Sequence, residues 1–421
     1  MDPFRRLLVM AGLAGLVLAS FVQAGPAAAA EWTLAADVAQ RVEVDSNFGL
    51  DDNSEGVLFG STSTIDLRLA ARTKRTRWNL AIGTRLSVFA GSGDDTGLNG
   101  ADPRANGGVS HQGKRFSANA AFGFSRQSVA STQFGLAALP EGSVVLPDDT
   151  VILPDDTLAT LDDFGTISNE DAIQTSLNLR SGITFNLDPL NRLSLSASGS
   201  IVRFSGDAGE LEDSTSYGTT VSWEHDLTER TSTDLSFGVQ RFTTDDTENT
   251  ESLTFTATGG FDTQLTPRLT FGLDAGFTVA DIERDPPGRD DTPVGFTGGL
   301  RLGWQLAADT QFSLAANQGF EPSSLGELQA RSTVALSIGH SINSRSRLSL
   351  SASYSRQTSA DNSDNTDVRQ LFVLSPGYTI DLSPDWQARM GYTLRLRDED
   401  AGFATSSNLF LTISRSFDLL R

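Results

Sequence analysis

The sequence of 421 residues contains no cysteine and only three histidines. The lack of cysteine excludes disulfide scaffolds, zinc–thiolate sites and thiol nucleophiles. Beyond the N-terminal segment, no apolar run approaches the roughly 18 residues that a membrane-spanning helix needs, which excludes a helical protein with several spans. Acidic side chains outnumber basic ones by 53 to 32, and the formal charge of −21 argues against a nucleic-acid partner.

Residues 1–30 have the order of a secretory signal peptide. Two arginines near the start are followed by an apolar stretch and then by a run of small residues that ends in four alanines. We predict cleavage after Ala30 or Ala24, and an uncleaved N-terminal anchor helix is the alternative. The sequence is thereby divided into a targeting segment, 1–30, and an exported domain, 31–421.

Apolar and polar residues alternate over long stretches of the exported domain. Between Leu253 and Phe261 every second residue is apolar or glycine, and mostly threonine lies between them. The stretches 78–88 and 294–306 repeat this pattern. Strict alternation over ten or more residues predicts a strand with one apolar and one polar face. Strands of soluble proteins usually have about 5–6 residues, whereas a tilted strand needs about 9–11 to cross a bilayer.

The connections between these strands are of two kinds. Some are short turns, such as Thr266-Pro267-Arg268, and others are long and rich in glycine and aspartate, such as 91–108. Short turns at one end and long loops at the other are typical of an outer-membrane barrel with periplasmic turns. The predicted strands are 32–44, 57–71, 77–90, 104–112, 114–134, 171–186, 192–205, 215–225, 232–243, 252–265, 268–280, 293–306, 310–320, 329–342, 346–357, 368–381, 385–397 and 407–417.

The predicted fold class is therefore all-β, a transmembrane antiparallel up-and-down β-barrel of about 18 strands. A barrel of 16 strands follows instead if the glycine-rich stretch 104–112 and one neighbour are not strands. Pro376 predicts a bulge or kink in its strand, because proline cannot donate to the ladder.

The predicted outer loops are acidic and the predicted wall is basic. The nine loops hold 37 acidic residues and three basic ones, Arg104, Arg284 and Arg289. Strand parity places many arginines on the polar face together with a few acids, Asp37, Asp66, Glu224, Asp262 and Asp274. The lumen-lining candidates are Arg41, Arg68, Arg85, Arg115, Arg180, Arg301, Arg347, Arg389, Arg395 and Arg397, with Arg331 and Arg369 on the same face.

Rings of like charge select permeating ions, so the arginines predict a channel for small anionic or neutral solutes, glycans included. The alternative is that the arginines pair with the lumen acids and only hold the wall in shape. A structural or adhesion barrel, whose acidic loops are the working surface and which has no significant conductance, is the competing function. A soluble secreted β-protein is a third.

The longest predicted loop, 139–170, contains a segment of seven residues that is nearly repeated, 144–150 and 151–157. Each copy ends in a pair of aspartates, Asp148 and Asp149 in one and Asp155 and Asp156 in the other. The loop is predicted to narrow the pore or to hold a divalent cation, since hard cations prefer oxygen ligands. The alternatives are a solvated loop or a small extra hairpin. The spacing does not match an EF-hand, so the metal remains unknown, and no cofactor is predicted.

The tryptophans and histidines lie near predicted strand ends. Five tryptophans, Trp32, Trp78, Trp223, Trp304 and Trp386, fall at the periplasmic ends, which predicts an aromatic girdle at one membrane interface. His225 and His340 lie at the same ends, and His111 lies in the stretch 104–112. No serine lies in a G-x-S-x-G elbow and no glycine-rich phosphate loop precedes a helix, so we predict that the protein is not an enzyme.

The last predicted strand ends in an aromatic residue, Phe417, with Leu409, Leu411 and Ile413 on the same face and Arg415 interrupting it. Such a strand resembles the signal by which Gram-negative outer-membrane proteins are recognised for assembly. The whole domain resembles the porin-type barrels of Gram-negative outer membranes and, more narrowly, the porin-type barrels of proteobacteria, some of which are associated with surface-polysaccharide export.

That resemblance implies integration in the bacterial outer membrane and transport through a channel. It also implies several partners. These are outer-membrane lipid and lipopolysaccharide, the assembly machinery acting on the C-terminal strand, other polysaccharide-export components, and further copies of the chain in a homo-oligomer.

Overall fold

A computed structural model describes residues 30–50, 56–91, 100–129, 144–145, 151–152, 172–206, 211–245, 249–284, 292–322, 328–359, 368–399 and 402–420. Eighteen long strands form one sheet in which every neighbouring pair is antiparallel. The first strand pairs with the second on one side and with the last on the other, so the sheet is closed. The predicted fold class is confirmed.

The strands are numbered in chain order. They are β1 (Glu31–Asp45), β2 (Leu58–Arg72), β3 (Thr76–Gly91), β4 (Gly100–Gln112), β5 (Phe116–Ser128), β6 (Val144–Val145), β7 (Val151–Ile152), β8 (Ile173–Asn186), β9 (Asn191–Ser205), β10 (Ser214–Thr228), β11 (Thr231–Thr244), β12 (Glu251–Thr266), β13 (Leu269–Glu283), β14 (Val294–Ala307), β15 (Thr310–Pro322), β16 (Leu328–Asn343), β17 (Ser346–Ser359), β18 (Arg369–Asp381), β19 (Trp386–Glu399) and β20 (Gly402–Leu420). β6 and β7 pair only with each other, and the other eighteen form the barrel.

Most strand boundaries agree with the predicted ones within a few residues. The weakly alternating stretch 104–112 lies in β4, which pairs with β3 and β5 along its length, so the barrel has eighteen strands and not sixteen. β5 ends at Ser128, six residues before its predicted end at 134. Apart from Ala30, the predicted signal peptide lies outside the described residues.

The two ends of the barrel differ. At one end, here called the turn end, the strands are joined by short turns such as 229–230 and 267–268. The opposite end, here called the loop end, carries the longer connections. In one turn, the Asp188 carboxylate accepts hydrogen bonds from the backbone N–H groups of Leu190 and Asn191 at 2.8 and 2.9 Å. The Leu190 N–H and the Asn191 side chain hold the pKa of Asp188 below its ordinary value.

The outward face of the barrel is apolar along the middle of the strands. On β1, Val38 and Val42 are 41% and 48% exposed, and on β2 Ile65 and Leu67 are 44% and 48% exposed. Soluble monomers rarely expose a contiguous apolar patch above a few hundred Å2, so a belt around the whole barrel is a membrane-facing surface. Among the described residues there is no helix long and apolar enough to cross a membrane.

Aromatic and histidine side chains mark the turn end. Trp32, Trp78, Trp223, Trp304 and Trp386 all lie there and are all exposed, as the girdle requires. The ring of His225 stacks against that of Trp223 at 5.8 Å and bonds to the Asn191 amide oxygen at 3.0 Å. The other two histidines lie at the same end, where His111 contacts the Thr76 hydroxyl at 2.9 Å and His340 contacts the Thr310 hydroxyl at 2.8 Å.

Many of the buried apolar side chains form four small clusters near the loop end, whereas the lumen-facing positions elsewhere are mostly polar. The four clusters are Leu50 with Leu371, Val373 and Ala404; Leu58 with Phe89 and Phe48; Val129 with Ala172, Leu211 and Phe204; and Ala280 with Ile282, Leu328 and Phe320. Pro376 leaves the register of β18 unchanged, but the β18–β19 ladder lacks its pairs between Leu374 and Gly377.

Candidate functional site: the lumen wall

The lumen is lined by the polar parity of each strand. Of the ten predicted lumen-lining arginines, nine lie in barrel strands at positions that alternate with membrane-facing residues: Arg41, Arg68, Arg85, Arg180, Arg301, Arg347, Arg389, Arg395 and Arg397. The tenth, Arg115, lies instead in the turn between β4 and β5, because β5 begins at Phe116. Arg331 and Arg369 share the lumen-facing parity on β16 and β18.

Acidic side chains form a sector on one side of the lumen. Glu224 and Asp226 on β10, Asp234 on β11, Asp262 on β12 and Asp274 on β13 all lie on lumen-facing positions. Two arginines flank the sector. Arg192 bonds to Glu224 at 2.5 Å and to Asp226 at 2.8 Å, and Arg301 bonds to Asp274 at 2.9 Å and approaches Asp262 at 3.4 Å.

The acidic sector faces an arginine-rich sector across the lumen. β10 and β19 are nine strands apart in the ring of eighteen, and β19 carries Arg389, Arg395 and Arg397. Sequence parity predicts which residues share the lumen face, but it does not show that the carboxylates of β10 to β13 lie opposite the arginines of β19. That separation depends on the order of strands around the ring.

Glycines make room for two of the lumen ion pairs. Asp66 on β2 lies directly opposite Gly83 on β3, and Gly83 lies opposite Arg104 on β4. The Asp66 carboxylate crosses above Gly83 and accepts from Arg104 Nη2 at 2.7 Å. Asp262, Gly272 and Arg301 repeat this order on β12, β13 and β14.

The prediction that assigns Arg104 to an outer loop is wrong. Arg104 lies within β4, which begins at Gly100, and donates to Asp66 on the lumen wall. The predicted strand 104–112 includes it correctly, and only its count among the loop residues fails. The glycines that weaken the alternation of this stretch belong to the strand and do not mark a loop.

Replacement of Gly83 by alanine is expected to destabilise the barrel by about 1–3 kcal/mol. A Cβ at this position would lie 1.8 Å from Asp66 Oδ1, so the carboxylate must move away from Arg104. Urea unfolding in lipid vesicles, followed by tryptophan fluorescence, measures the change. Gly123→Ala is the matched control, since a Cβ on this lumen-facing glycine of β5 meets nothing within 4 Å. Equal stability of both variants would contradict the steric account.

A buried polar network joins the first strand to the last two near the loop end. Arg395 Nη2 donates to Asp45 Oδ2 at 2.9 Å and to the Ser406 hydroxyl at 2.8 Å. Ser406 donates to Asp45 Oδ1 at 2.7 Å, and the Asn408 amide donates to Glu43 at 3.1 Å. The Arg395 and Asp45 side chains are only 7% and 2% exposed.

The network continues toward the middle of the lumen through Arg41 and an aromatic ring. Arg41 Nη2 bonds to Glu43 at 2.7 Å, and its guanidinium carbon lies 4.0 Å from the centroid of the Phe410 ring. Arg389 approaches the same ring at 5.8 Å. Phe410 is the one aromatic residue that departs from the polar parity of β20, and it is buried between these two arginines.

The first outer connection folds into the lumen. The Arg395 guanidinium also contacts the backbone oxygen of Phe48 at 3.3 Å, and Leu50 is buried against Leu371, Val373 and Ala404, which lie on the lumen face of β18 and β20. Leu50 has a φ of 56°, a left-handed conformation that favours glycine. Residues 46–50 therefore narrow the lumen at the loop end.

The sequence predicts a narrowing by the long loop 139–170. Its aspartates, Asp148, Asp149, Asp155 and Asp156, lie outside the described residues. What is described of the loop is β6 and β7, whose two-residue segments pair antiparallel, as in the small hairpin that the sequence left as an alternative. In the described residues no group of three or more acidic or histidine side chains is arranged to hold a metal ion.

No protein-family model matches the chain, and no curated protein matches it. Among solved structures it is similar to a BenF-like porin from Pseudomonas fluorescens Pf-5, with a TM-score of 0.49 and 9% identity over 92% of this chain and 99% of that one. OpdO from Pseudomonas aeruginosa gives a TM-score of 0.49 and 9% identity over 92% and 98%. The FrpB iron transporter from Neisseria meningitidis gives 0.46 and 8%, and the chain covers 62% of its length.

Proposed function

We propose that the protein is an outer-membrane channel with its turn end in the periplasm, and that its lumen passes small anionic or neutral solutes, sugars among them. The proposal rests on the barrel geometry and on the charges of the lumen wall. It gives the protein no catalytic role.

The observation that carries the anionic preference is the uneven neutralisation of lumen charge. In the acidic sector, Arg192 and Arg301 each pair with two carboxylates. Arg347 on β17 and Arg389 on β19 have no carboxylate within ion-pair distance among the described residues, and the Nε atom of Arg389 is buried without a hydrogen-bond partner. The β17–β19 wall therefore presents positive charge that no described side chain neutralises.

Two tracks of hydroxyl groups support passage of neutral, hydroxyl-bearing solutes. The lumen face of β9 carries four serines at successive alternate positions, Ser194, Ser196, Ser198 and Ser200, and β17 carries Ser349, Ser351, Ser353 and Ser355. β9 and β17 are eight strands apart in the ring, so the tracks lie on nearly opposite walls. Hydroxyls both donate and accept hydrogen bonds, which suits sugars.

Planar-bilayer recordings in a salt gradient test the anionic preference. The wild-type channel should be anion-selective, and Arg347→Gln and Arg389→Gln should each lower the chloride-to-potassium permeability ratio by about twofold. This estimate follows from a Coulomb energy of about 0.5 kcal/mol for two charges about 8 Å apart in water. The energy acts with opposite sign on the two ions, and salt reduces it to roughly half. Arg345→Gln is the control, because Arg345 lies in an exposed turn. Cation selectivity of the wild type would overturn the proposal.

A structural or adhesion barrel is the second candidate function, and one observation favours it. Residues 46–50 occupy part of the lumen and are held there by Leu50 and by the contact of Arg395 with Phe48. If the rest of the lumen is closed as well, the acidic loops are the working surface. The same recording decides between the two functions, since a closed barrel passes no current.

The proposed location in the outer membrane, with the turn end in the periplasm, also leads us to propose several binding partners. Acidic outer loops would meet lipopolysaccharide through shared divalent cations, and β20 would be the strand read by the assembly machinery. A homo-oligomer and a role in polysaccharide export are the narrower proposals. Co-purification from outer-membrane fractions and a heat-dependent shift in gel mobility test whether the protein is an integral barrel there.

A further inference from the structure

A lone arginine lies on the membrane-facing side of the C-terminal strand. Arg415 shares its face of β20 with Leu411 and Ile413, which are 43% and 41% exposed on the apolar belt. Its neighbours across the sheet are Trp386 on β19 and Val38 on β1, both also outward-facing. Trp386 belongs to the tryptophan girdle, so the guanidinium lies at the membrane interface of the turn end.

The contacts of Arg415 leave its charge without an anion. The guanidinium carbon lies 4.3 Å from the centroid of the Phe417 ring and 5.2 Å from that of Trp386. Its Nε atom is buried without a hydrogen-bond partner, and among the described residues no carboxylate lies within ion-pair distance. A charge on the lipid face is costly unless it is paired or reaches the interface. The two aromatic rings hold the guanidinium at the membrane interface, where no described carboxylate pairs with it and a lipid headgroup can.

An apolar groove lies on the same wall, further toward the loop end. It has a volume of about 730 Å3 and is lined by residues of β16 to β20, among them Ile338, Leu348, Pro376, Tyr378, Met390 and Leu409. It forms around Pro376, where the β18–β19 ladder is interrupted. Met390 is four residues along β19 from Trp386, about 13 Å, and half of a hydrocarbon core measures about 15 Å. An acyl chain attached to a headgroup at Arg415 can therefore reach the groove.

We propose that Arg415, the rings of Trp386 and Phe417, and the groove at Met390 together bind one glycerophospholipid of the periplasmic leaflet. The guanidinium binds the phosphate diester, since its fork of N–H donors matches phosphate oxygens. One acyl chain follows β19 and β20 into the groove. The site requires that the turn end face the periplasm, but it does not require the barrel to conduct.

Native mass spectrometry of the detergent-purified barrel, titrated with phosphatidylglycerol or phosphatidylethanolamine, tests this site. The wild type should retain one tightly bound phospholipid. Arg415→Gln should weaken its binding about tenfold, the loss expected for a charge-assisted hydrogen bond, and Arg415→Lys should weaken it less. Met390→Trp, which fills the groove without touching Arg415, should also weaken binding. Arg345→Gln removes an arginine of an exposed turn that is not part of the proposed site, so this variant should bind phospholipid like the wild type.

Only barrels that show the heat-dependent gel shift are compared, so a misfolded variant does not enter the result. If Arg415→Gln does not assemble, Arg415→Lys and Met390→Trp still test whether the site binds the phospholipid. Equal phospholipid occupancy in the wild type and these variants would overturn the proposal, as would an equal loss in Arg345→Gln. Preferential binding of lipid A would also overturn it, because lipid A belongs to the opposite leaflet. None of these outcomes depends on conductance.

Discussion

Replacement of Arg395 by methionine is expected to cost about 3–5 kcal/mol of barrel stability. Arg395 and Asp45 are almost fully buried, and the substitution leaves the Asp45 carboxylate in a low-dielectric site without its cation. Ser406, Asn408 and the backbone N–H of Asn47 still donate to Asp45, but three neutral hydrogen bonds do not balance a buried charge. Replacement of Asp45 by leucine in the same protein should recover much of the loss, since it removes the unpaired charge.

Equilibrium unfolding in urea, with the protein in lipid vesicles, measures this effect. Arg68→Met is the matched control. Arg68 pairs with Asp37 at 2.5 Å on the same lumen wall, but the Arg68 side chain is 58% exposed, so its removal should cost about 0–1 kcal/mol. Similar losses of stability from Arg395→Met and Arg68→Met would show that burial of the Arg395–Asp45 pair does not increase its contribution to the free energy of unfolding.

Replacement of Leu50 by glycine is expected to raise single-channel conductance on the order of twofold, because pore diameter limits conduction. The leucine side chain packs on Leu371, Val373 and Ala404 and holds residues 46–50 inside the lumen. Glycine removes that packing and also relaxes the backbone, whose φ is 56°. Leu50→Ala loses the same packing but keeps the strained backbone, so it should be less stable than Leu50→Gly by about 1 kcal/mol.

Single-channel recordings of both variants test this account of the constriction. Leu211→Ala is the control, because Leu211 lies in another loop-end cluster, with Val129 and Ala172, and does not contact residues 46–50. Unchanged conductance in Leu50→Gly would show that these residues do not limit the current. A similar rise in Leu211→Ala would show that loop-end packing in general, and not the first connection, sets the conductance.

The fold could be predicted because each strand carries its own signal. Alternation specifies the two faces of a strand without any long-range information, and a turn such as Thr266-Pro267-Arg268 specifies where the next strand begins. The signal is weakest in β4, whose glycines hide the alternation. There the strand is held by its neighbours β3 and β5, and no local pattern reports that pairing.

The lumen site could be predicted only in part. Parity places Arg395 and Arg41 on the polar face. It does not show which side chains surround them, because some of these come from the other end of the chain. Asp45 and Ser406 are brought together only when β1 pairs with β20. The inward fold of the first connection has no clear sequence signal either, since Phe48 and Leu50 are two isolated apolar residues in a largely polar loop. In the sequence, the loop 139–170 is the more prominent candidate, because it is the longest and contains the repeated segment with its paired aspartates.

The closure of β1 on β20 also has a consequence for the rate at which the barrel forms and opens. Asp45 and Asn408 face each other across this pairing although hundreds of residues separate them in the chain, so their contact has a very high loop-closure cost. Neither Arg395 nor Asp45 can bury its charge before β20 pairs with β1. The Arg395–Asp45 bond is thus a late event in assembly, and weakening it should leave the insertion rate nearly unchanged while it accelerates opening. The Arg395–Asp45 pair therefore stabilises the closed barrel and does not nucleate its assembly.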